Sequence, residues 1–273
     1  MKFLCKVILG LMVFSVGMIT VFAYGSEFYS TSLSGDTIKV TILYDNYIYT
    51  EGTKADWGFS CLIEGTEKTI LFDTGTQPDI LWHNIKKLNI NIDKIDLIAI
   101  SHIHGDHTGG LFSVLAEKND IPVYIPASFP DSFVSRINDS GGKSVRVDKP
   151  LEICQNVYLS GEMGTGIVEQ AVVLDTSQGL VIITGCAHPG IASMVNDIRN
   201  HHDKDVYFVF GGFHLMQHSP DQVKDIIKQF NEAGMEKCGA THCTGDKAIE
   251  IFKEEYGEDF VGMGVGRVIK IDS

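Results

Sequence analysis

Ser101-His102-Ile103-His104-Gly105-Asp106-His107-Thr108-Gly109-Gly110-Leu111 constrains this chain more than any other stretch. Three imidazoles and a carboxylate fall within six residues, directly after the apolar, β-branched run Ile95–Ile100. That run reads as a buried strand, so the histidines stand in the loop beyond its end, where a rigid sheet aims functional side chains. His102 and His104 alternate, and in extended backbone both can face one way. Four such groups at one strand end repel one another when charged and strand polar atoms when buried. A divalent metal removes both problems. The donor set suits zinc and is open to iron or manganese.

One motif cannot close a metal site, so further ligands must arrive from distant sequence. Gly185-Cys186-Ala187-His188-Pro189-Gly190 follows the apolar run Leu180–Ile183 and opens a helix. Gly211-Gly212-Phe213-His214-Leu215 follows Val206–Phe210, and Ala240-Thr241-His242-Cys243-Thr244-Gly245 leads from a short strand to a helix at Asp246. Histidine thus recurs at four strand ends. His83, His201, His202 and His218 lie in polar helical or loop contexts and read as solvated surface residues.

Between these points strand and helix signals alternate. Further β-branched runs cover Ile38–Leu43, Phe59–Ile63, Thr69–Phe72, Val123–Ile125, Ser144–Val147, Val157–Leu159, Ala171–Leu174 and Arg267–Ile271. Helical periodicity covers Pro78–Leu88, Gly110–Glu117, Asp131–Asn138, Ile191–Asn200, Pro220–Ala233 and Asp246–Tyr256, with Ser219-Pro220 as a start signal. Hairpins early and mid-chain, with helices between and after, predict one mixed α/β domain of layered sheets and helices over residues 37–273.

Residues 1–23 carry Lys2 and Lys6, an uncharged apolar run over 7–22, and small residues before Tyr24. They read as a secretory signal cleaved after Ala23, or as an uncleaved membrane anchor, with 24–36 as a linker. Either form puts the catalytic domain outside the cytoplasm: periplasmic, extracellular or anchored. Any membrane contact would come through residues 1–23 alone. The 35 acidic and 22 basic side chains give a net charge of −13, which argues against nucleic acid as a partner. The six cysteines become five if Cys5 is cleaved away, which is no disulfide framework.

The motifs together resemble the metallo-β-lactamase-fold metallohydrolase superfamily, through Leu71-Phe72-Asp73-Thr74-Gly75, His102–His107, Gly185–Gly190, Gly211–Leu215 and Thr241–Gly245. The last three, with Asp45-Asn46 and Trp57-Gly58-Phe59-Ser60, resemble its branch of 4-(β-D-ribofuranosyl)aminobenzene 5′-phosphate dihydropterin synthase-like proteins. The resemblance implies a four-layer αββα sandwich and a site for two divalent metal ions, zinc before iron or manganese. It implies that His102, His104 and His188 bind one ion and Asp106, His107 and His242 the other. Asp73 would orient a ligand histidine from behind. Many members place Gly-Asp where this chain has Gly185-Cys186, the aspartate bridging both metals. Here the thiolate contacts metal, a water alone bridges, or Cys186 only packs; a position in the outer shell is the expectation.

The implied chemistry is hydrolysis of an ester, lactone or phosphoester in a small, possibly anionic molecule. Asp106 would orient or deprotonate a water, and His214 would bind substrate or act as acid or base, or else hold a loop. Thr244-Gly245 would offer backbone N–H groups to an anion, and loops at Tyr44–Ala55 and Ser128–Gly142 would set specificity. Two rivals stand beside this: a synthase-type transferase joining a dihydropterin to an aryl ribotide, and a non-enzymatic ligand-binding protein. The sequence carries no sign of oligomeric state.

Overall fold

Strands that are apolar on both faces must be covered on both sides. The computed structural model describes residues 37–273 and shows how that is done. The first half runs through β1 (Thr37–Tyr44), β2 (Ser60–Glu64), β3 (Ile70–Phe72), α1 (Pro78–Lys87), β4 (Leu97–Ala99), α2 (Gly105–Thr108), α3 (Leu111–Glu117), β5 (Ile121–Pro126), α4 (Asp131–Asp139) and β6 (Gly142–Val147). The second runs through β7 (Leu151–Cys154), β8 (Val157–Leu159), β9 (Val172–Thr176), β10 (Gly179–Thr184), α5 (Ile191–His202), β11 (Val206–Gly212), α6 (Pro220–Glu232), β12 (Lys237–Thr241), α7 (Asp246–Tyr256) and β13 (Val268–Asp272).

The strands form two mixed sheets, ordered β13-β1-β2-β3-β4-β5-β6 and β12-β11-β10-β9-β8-β7. Alternate residues of each strand serve different layers. Val181 and Ile183 of β10 join Val40, Ile42, Ile70 and Phe72 in the core between the sheets. Leu180 and Ile182 turn outward onto Met194, Val195 and Ile198 of α5, Phe230 of α6 and Phe252 of α7. On the opposite outer face Leu71 and Ile98 meet Leu81 and Ile85 of α1 and Leu111 and Val114 of α3. The four-layer αββα sandwich expected from the resemblance is therefore what forms.

The strand pairing decides where the chemistry sits. β3 and β4 run parallel, as do β10, β11 and β12. β1 is antiparallel to β2 and β2 to β3, so β1 points the same way as β3. The carboxyl ends of these strands deliver Asp45-Asn46, Asp73, Ser101–His107, Gly185–His188, His214 and His242.

Local signals account for most elements. Ser219 accepts from the Gln222 N–H while the Gln222 side chain accepts from the Ser219 N–H, a capping box behind Pro220. The expected strand at Ile95–Ile100 narrows to Leu97–Ala99, and β7 was not anticipated. β7 exposes Leu151 and Glu152, so it lacks the apolar alternation that marks a half-buried strand.

The expectation of a transmembrane segment needs correction. Among the described residues no helix is long and apolar enough to cross a membrane. The signal or anchor expected at 1–23 and the linker at 24–36 lie outside the described residues, and nothing in the fold of 37–273 supports either one.

Candidate metal centre

The site is built outward from Asp73, which sits just past β3 with a left-handed φ of 55°. Its Oδ1 accepts from the Ser101 N–H at 2.7 Å, and its Oδ2 accepts from the Ser101 hydroxyl at 2.7 Å. The same Oδ2 faces His107 Nδ1 at 2.7 Å. A carboxylate only accepts, so His107 donates from Nδ1 and keeps the Nε2 lone pair free. Ser101, having spent its proton on Asp73, accepts from His102 Nδ1 at 2.9 Å. His102 is thereby fixed as the tautomer with a free Nε2. One aspartate sets two rings, the expected role of Asp73 and one step more.

His242 is anchored separately, at a left-handed φ of 50°. Its Nδ1 donates to Asn46 Oδ1 at 2.9 Å, while Asn46 Nδ2 returns a bond to the His242 carbonyl at 3.2 Å. The Gly58 N–H also donates to Asn46 Oδ1, at 3.1 Å. The Cys186–His188 loop hangs on Glu169, which is fully buried. Glu169 Oε1 accepts from the N–H groups of Gly185, Cys186 and Ala187 at 2.8–3.1 Å, and Oε2 from that of His188 at 3.0 Å. Burial pushes this carboxyl up to about 7, against the pull of those N–H groups.

With the rings held from behind, the free donors converge. Asp106 Oδ2 lies 3.5 Å from His107 Nε2 and 3.4 Å from His242 Nε2. Cys186 Sγ lies 3.2 Å from His107 Nε2 and 3.4 Å from His242 Nε2. Zinc with tetrahedral ligands at roughly 2.0–2.3 Å spaces them about 3.3–3.6 Å apart, so these donors fit such an ion. On the other side, His102 Nε2 faces His104 Nδ1 at 3.1 Å. His102, His104 and Asp106 form one donor group, and His102, Cys186 and His188 another, each within 4.8 Å. The Nε2 of His188 is buried without a hydrogen-bond partner, the condition of a ligand atom awaiting a cation.

The electrostatics agree. Burial, with His107, His188 and His104 nearby, pushes His102 far below the usual histidine range. Burial would lower His107 too, but Asp73 and Asp106 raise it to about 10. Asp106 is held far below the carboxylate range because His107 and His242 outweigh its burial. Asp73 and Asp106 draw positive charge onto His107, a charge that a bound dication would supply in its place.

All six residues expected as ligands, His102, His104, Asp106, His107, His188 and His242, meet here. Cys186, expected behind the ligands, instead has its Sγ among the donor atoms. The reason is local: Ala187 takes a left-handed φ of 62°, and the Glu169 cradle turns the loop inward. His214 is exposed, at a φ of 53°, with its ring 4.2 Å from that of His188. The buried Thr244 hydroxyl accepts from the Phe213 N–H and donates to the Thr241 carbonyl, tying two loops together. Ser128 and Phe129, from one expected specificity loop, line a recess with Ile103 and Ile167. His83 faces the Gly52 carbonyl and His201 and His202 end α5, all away from the centre.

Sequence reasoning passed over Glu169, Ser101 as a relay, and Asn46 and Trp57 as site residues. The Trp57 indole donates to Asp106 Oδ2 at 2.9 Å and packs 5.0 Å from the His242 ring. Asp45 and Asn46 gave one signal, as a polar pair directly after an apolar strand. Asp45 is fully buried and accepts from Thr241 Oγ1 at 2.8 Å, and burial pushes it up to about 7.

An acid with a raised folded value binds its proton more tightly in the native state. Its contribution is complete below about pH 4 and is lost as pH rises toward 7, up to about 4 kcal/mol. Asp45→Asn should therefore gain stability on the parent protein between pH 5 and pH 8. Denaturant titrations at both pH values read this directly, and a pH-independent difference would refute it.

Comparison with known proteins places this geometry among relatives. A family model for the metallo-β-lactamase superfamily matches residues 58–188. A 7,8-dihydropterin-6-methyl-4-(β-D-ribofuranosyl)-aminobenzene-5′-phosphate synthase from Methanocaldococcus jannaschii is 35% identical, over 86% of this chain and 97% of that protein. A solved metal-dependent hydrolase of the β-lactamase superfamily superimposes with a TM-score of 0.73 at 28% identity, covering 86% of this chain and all of that one. A metallo-β-lactamase-fold protein from Bacillus subtilis, at 15% identity and TM-score 0.62 over 86% of this chain and 100% of its own, shares the fold.

Proposed function

Because the chain belongs to the metallo-β-lactamase superfamily, we propose that it is a metal-dependent hydrolase of a small ester, lactone or phosphoester. The observation that carries this reading is the anchoring of His102, His107 and His242 through Nδ1, which turns three Nε2 lone pairs onto Asp106 and Cys186. His102, His104 and His188 would hold one divalent ion and Asp106, His107 and His242 a second, zinc before iron or manganese. Bound there, the ions supply Lewis acidity and bring the pKa of water toward neutrality.

The protein's own groups do the rest. Asp106 stays ionised and is oriented by Trp57, so it can accept a hydrogen bond from a water and orient it. His214, exposed beside His188, is placed to deliver a proton to a leaving group or to grip an anionic one. Ile103, Phe129 and Ile167 offer an apolar recess for the remainder of a small molecule.

A second reading, synthase-type transfer, is favoured by the 35% identical relative from Methanocaldococcus jannaschii. No specific observation favours non-enzymatic binding.

The test is elemental analysis of purified protein joined to turnover of bis-p-nitrophenyl phosphate, an aryl acetate and a lactone. Hydrolysis of at least one probe, lost on chelation and regained with zinc, is the expected result. Undiminished hydrolysis after stripping, or product formation only from an aryl ribotide and a dihydropterin together, would overturn it.

A further inference from the structure

We propose that the Cys186 thiolate bridges the two metal positions, so that this centre is joined by sulfur rather than by a carboxylate. The inference rests on the metal centre of the preceding reading and adds a ligand to it. Cys186 Sγ belongs to three donor groups: with Asp106, His107 and His242, with His102 and His188, and with His214 and Cys243. Its 3.2 and 3.4 Å separations from His107 Nε2 and His242 Nε2 lie close to the edges of a tetrahedral zinc site, roughly 3.3–3.6 Å. The same Sγ lies within 4.8 Å of the donor nitrogens of His102 and His188, so it stands between the two sets of histidines.

The backbone holds it there. Three consecutive N–H groups, Gly185, Cys186 and Ala187, all point at Glu169 Oε1, and the left-handed Ala187 reverses the chain. Cys186 and His188 consequently project into the same space from either side of that reversal. A neighbouring thiol, Cys243, sits in the third of these groups and donates to the Cys186 carbonyl at 3.5 Å.

Two consequences follow. Binding releases the Sγ proton to solvent, leaving thiolate and Asp106 as two negative charges against two dications. The surplus positive charge suits an anionic substrate. The soft sulfur also favours zinc over manganese or magnesium.

X-ray absorption at the zinc edge of the two-zinc protein tests this without any variant. The bridge requires about one sulfur per zinc on average; a terminal thiolate gives about half, and a packing cysteine none. Cobalt-loaded protein should show a near-ultraviolet thiolate charge-transfer band that Cys186→Ser abolishes and Cys243→Ser retains. Cys186→Asp should shift metal uptake from zinc toward manganese in a competition assay. Half a sulfur per zinc, none, or a band that follows Cys243 overturns the bridge while the metal reading stands. Failure to retain any zinc overturns both.

Discussion

His102→Ala is expected to lower hydrolysis at least about a hundredfold and to remove at least one equivalent of bound metal. His102 is fully buried, its Nδ1 is committed to Ser101, and its Nε2 belongs to both donor groups that contain His104 and His188. No neighbouring side chain can take its place, since His104 and His188 already face the same point. The native fold should survive, because the ring is buried among polar groups rather than in the apolar layers, and circular dichroism checks that. A folded variant with full metal content and unchanged turnover would remove His102 from the centre. The same assay on His201→Ala, far from the site at the end of α5, should show no loss.

Glu169→Ala should cost on the order of 3–5 kcal/mol of folding stability, because it leaves four buried backbone N–H groups without an acceptor. Glu169→Gln keeps one oxygen and should lose less, with its amide N–H₂ opposed to at least one of those donors. Both should weaken zinc binding by about 10–100-fold, since the loop they release carries Cys186 and His188. Chemical denaturation and zinc titration against a competing chelator measure the two effects. Parent-like stability together with parent-like affinity would show that the loop holds its shape without the carboxylate.

These two residues mark the boundary of what could be read in advance. His102 announces itself: it follows an apolar run, alternates with His104 and is trailed by glycines. Glu169 carries no such mark, because an acid in the polar stretch before Ala171 looks the same whether it faces water or four N–H groups. Cys186 fell between. Its presence after the strand was plain, but the direction of its Sγ hangs on the left-handed turn at Ala187, a conformation with no sequence code in a non-glycine residue.

The sequence by itself determined the donor chemistry and most of the elements: which runs become strands, where helices start, and that His102, His104, Asp106 and His107 share one short segment past β4. Those are local matters, settled by periodicity, propensity and spacing. Only the tertiary structure decided which of the ten histidines converge, and that Asp73, Asn46 and Glu169 stand behind them. That choice rests on the parallel alignment of β3 with β4 and of β10 with β11 and β12. Backbone ladders are blind to side-chain identity. Which strand ends meet is therefore fixed by the packing of whole layers, and the two halves of the centre join only when both sheets close on one core.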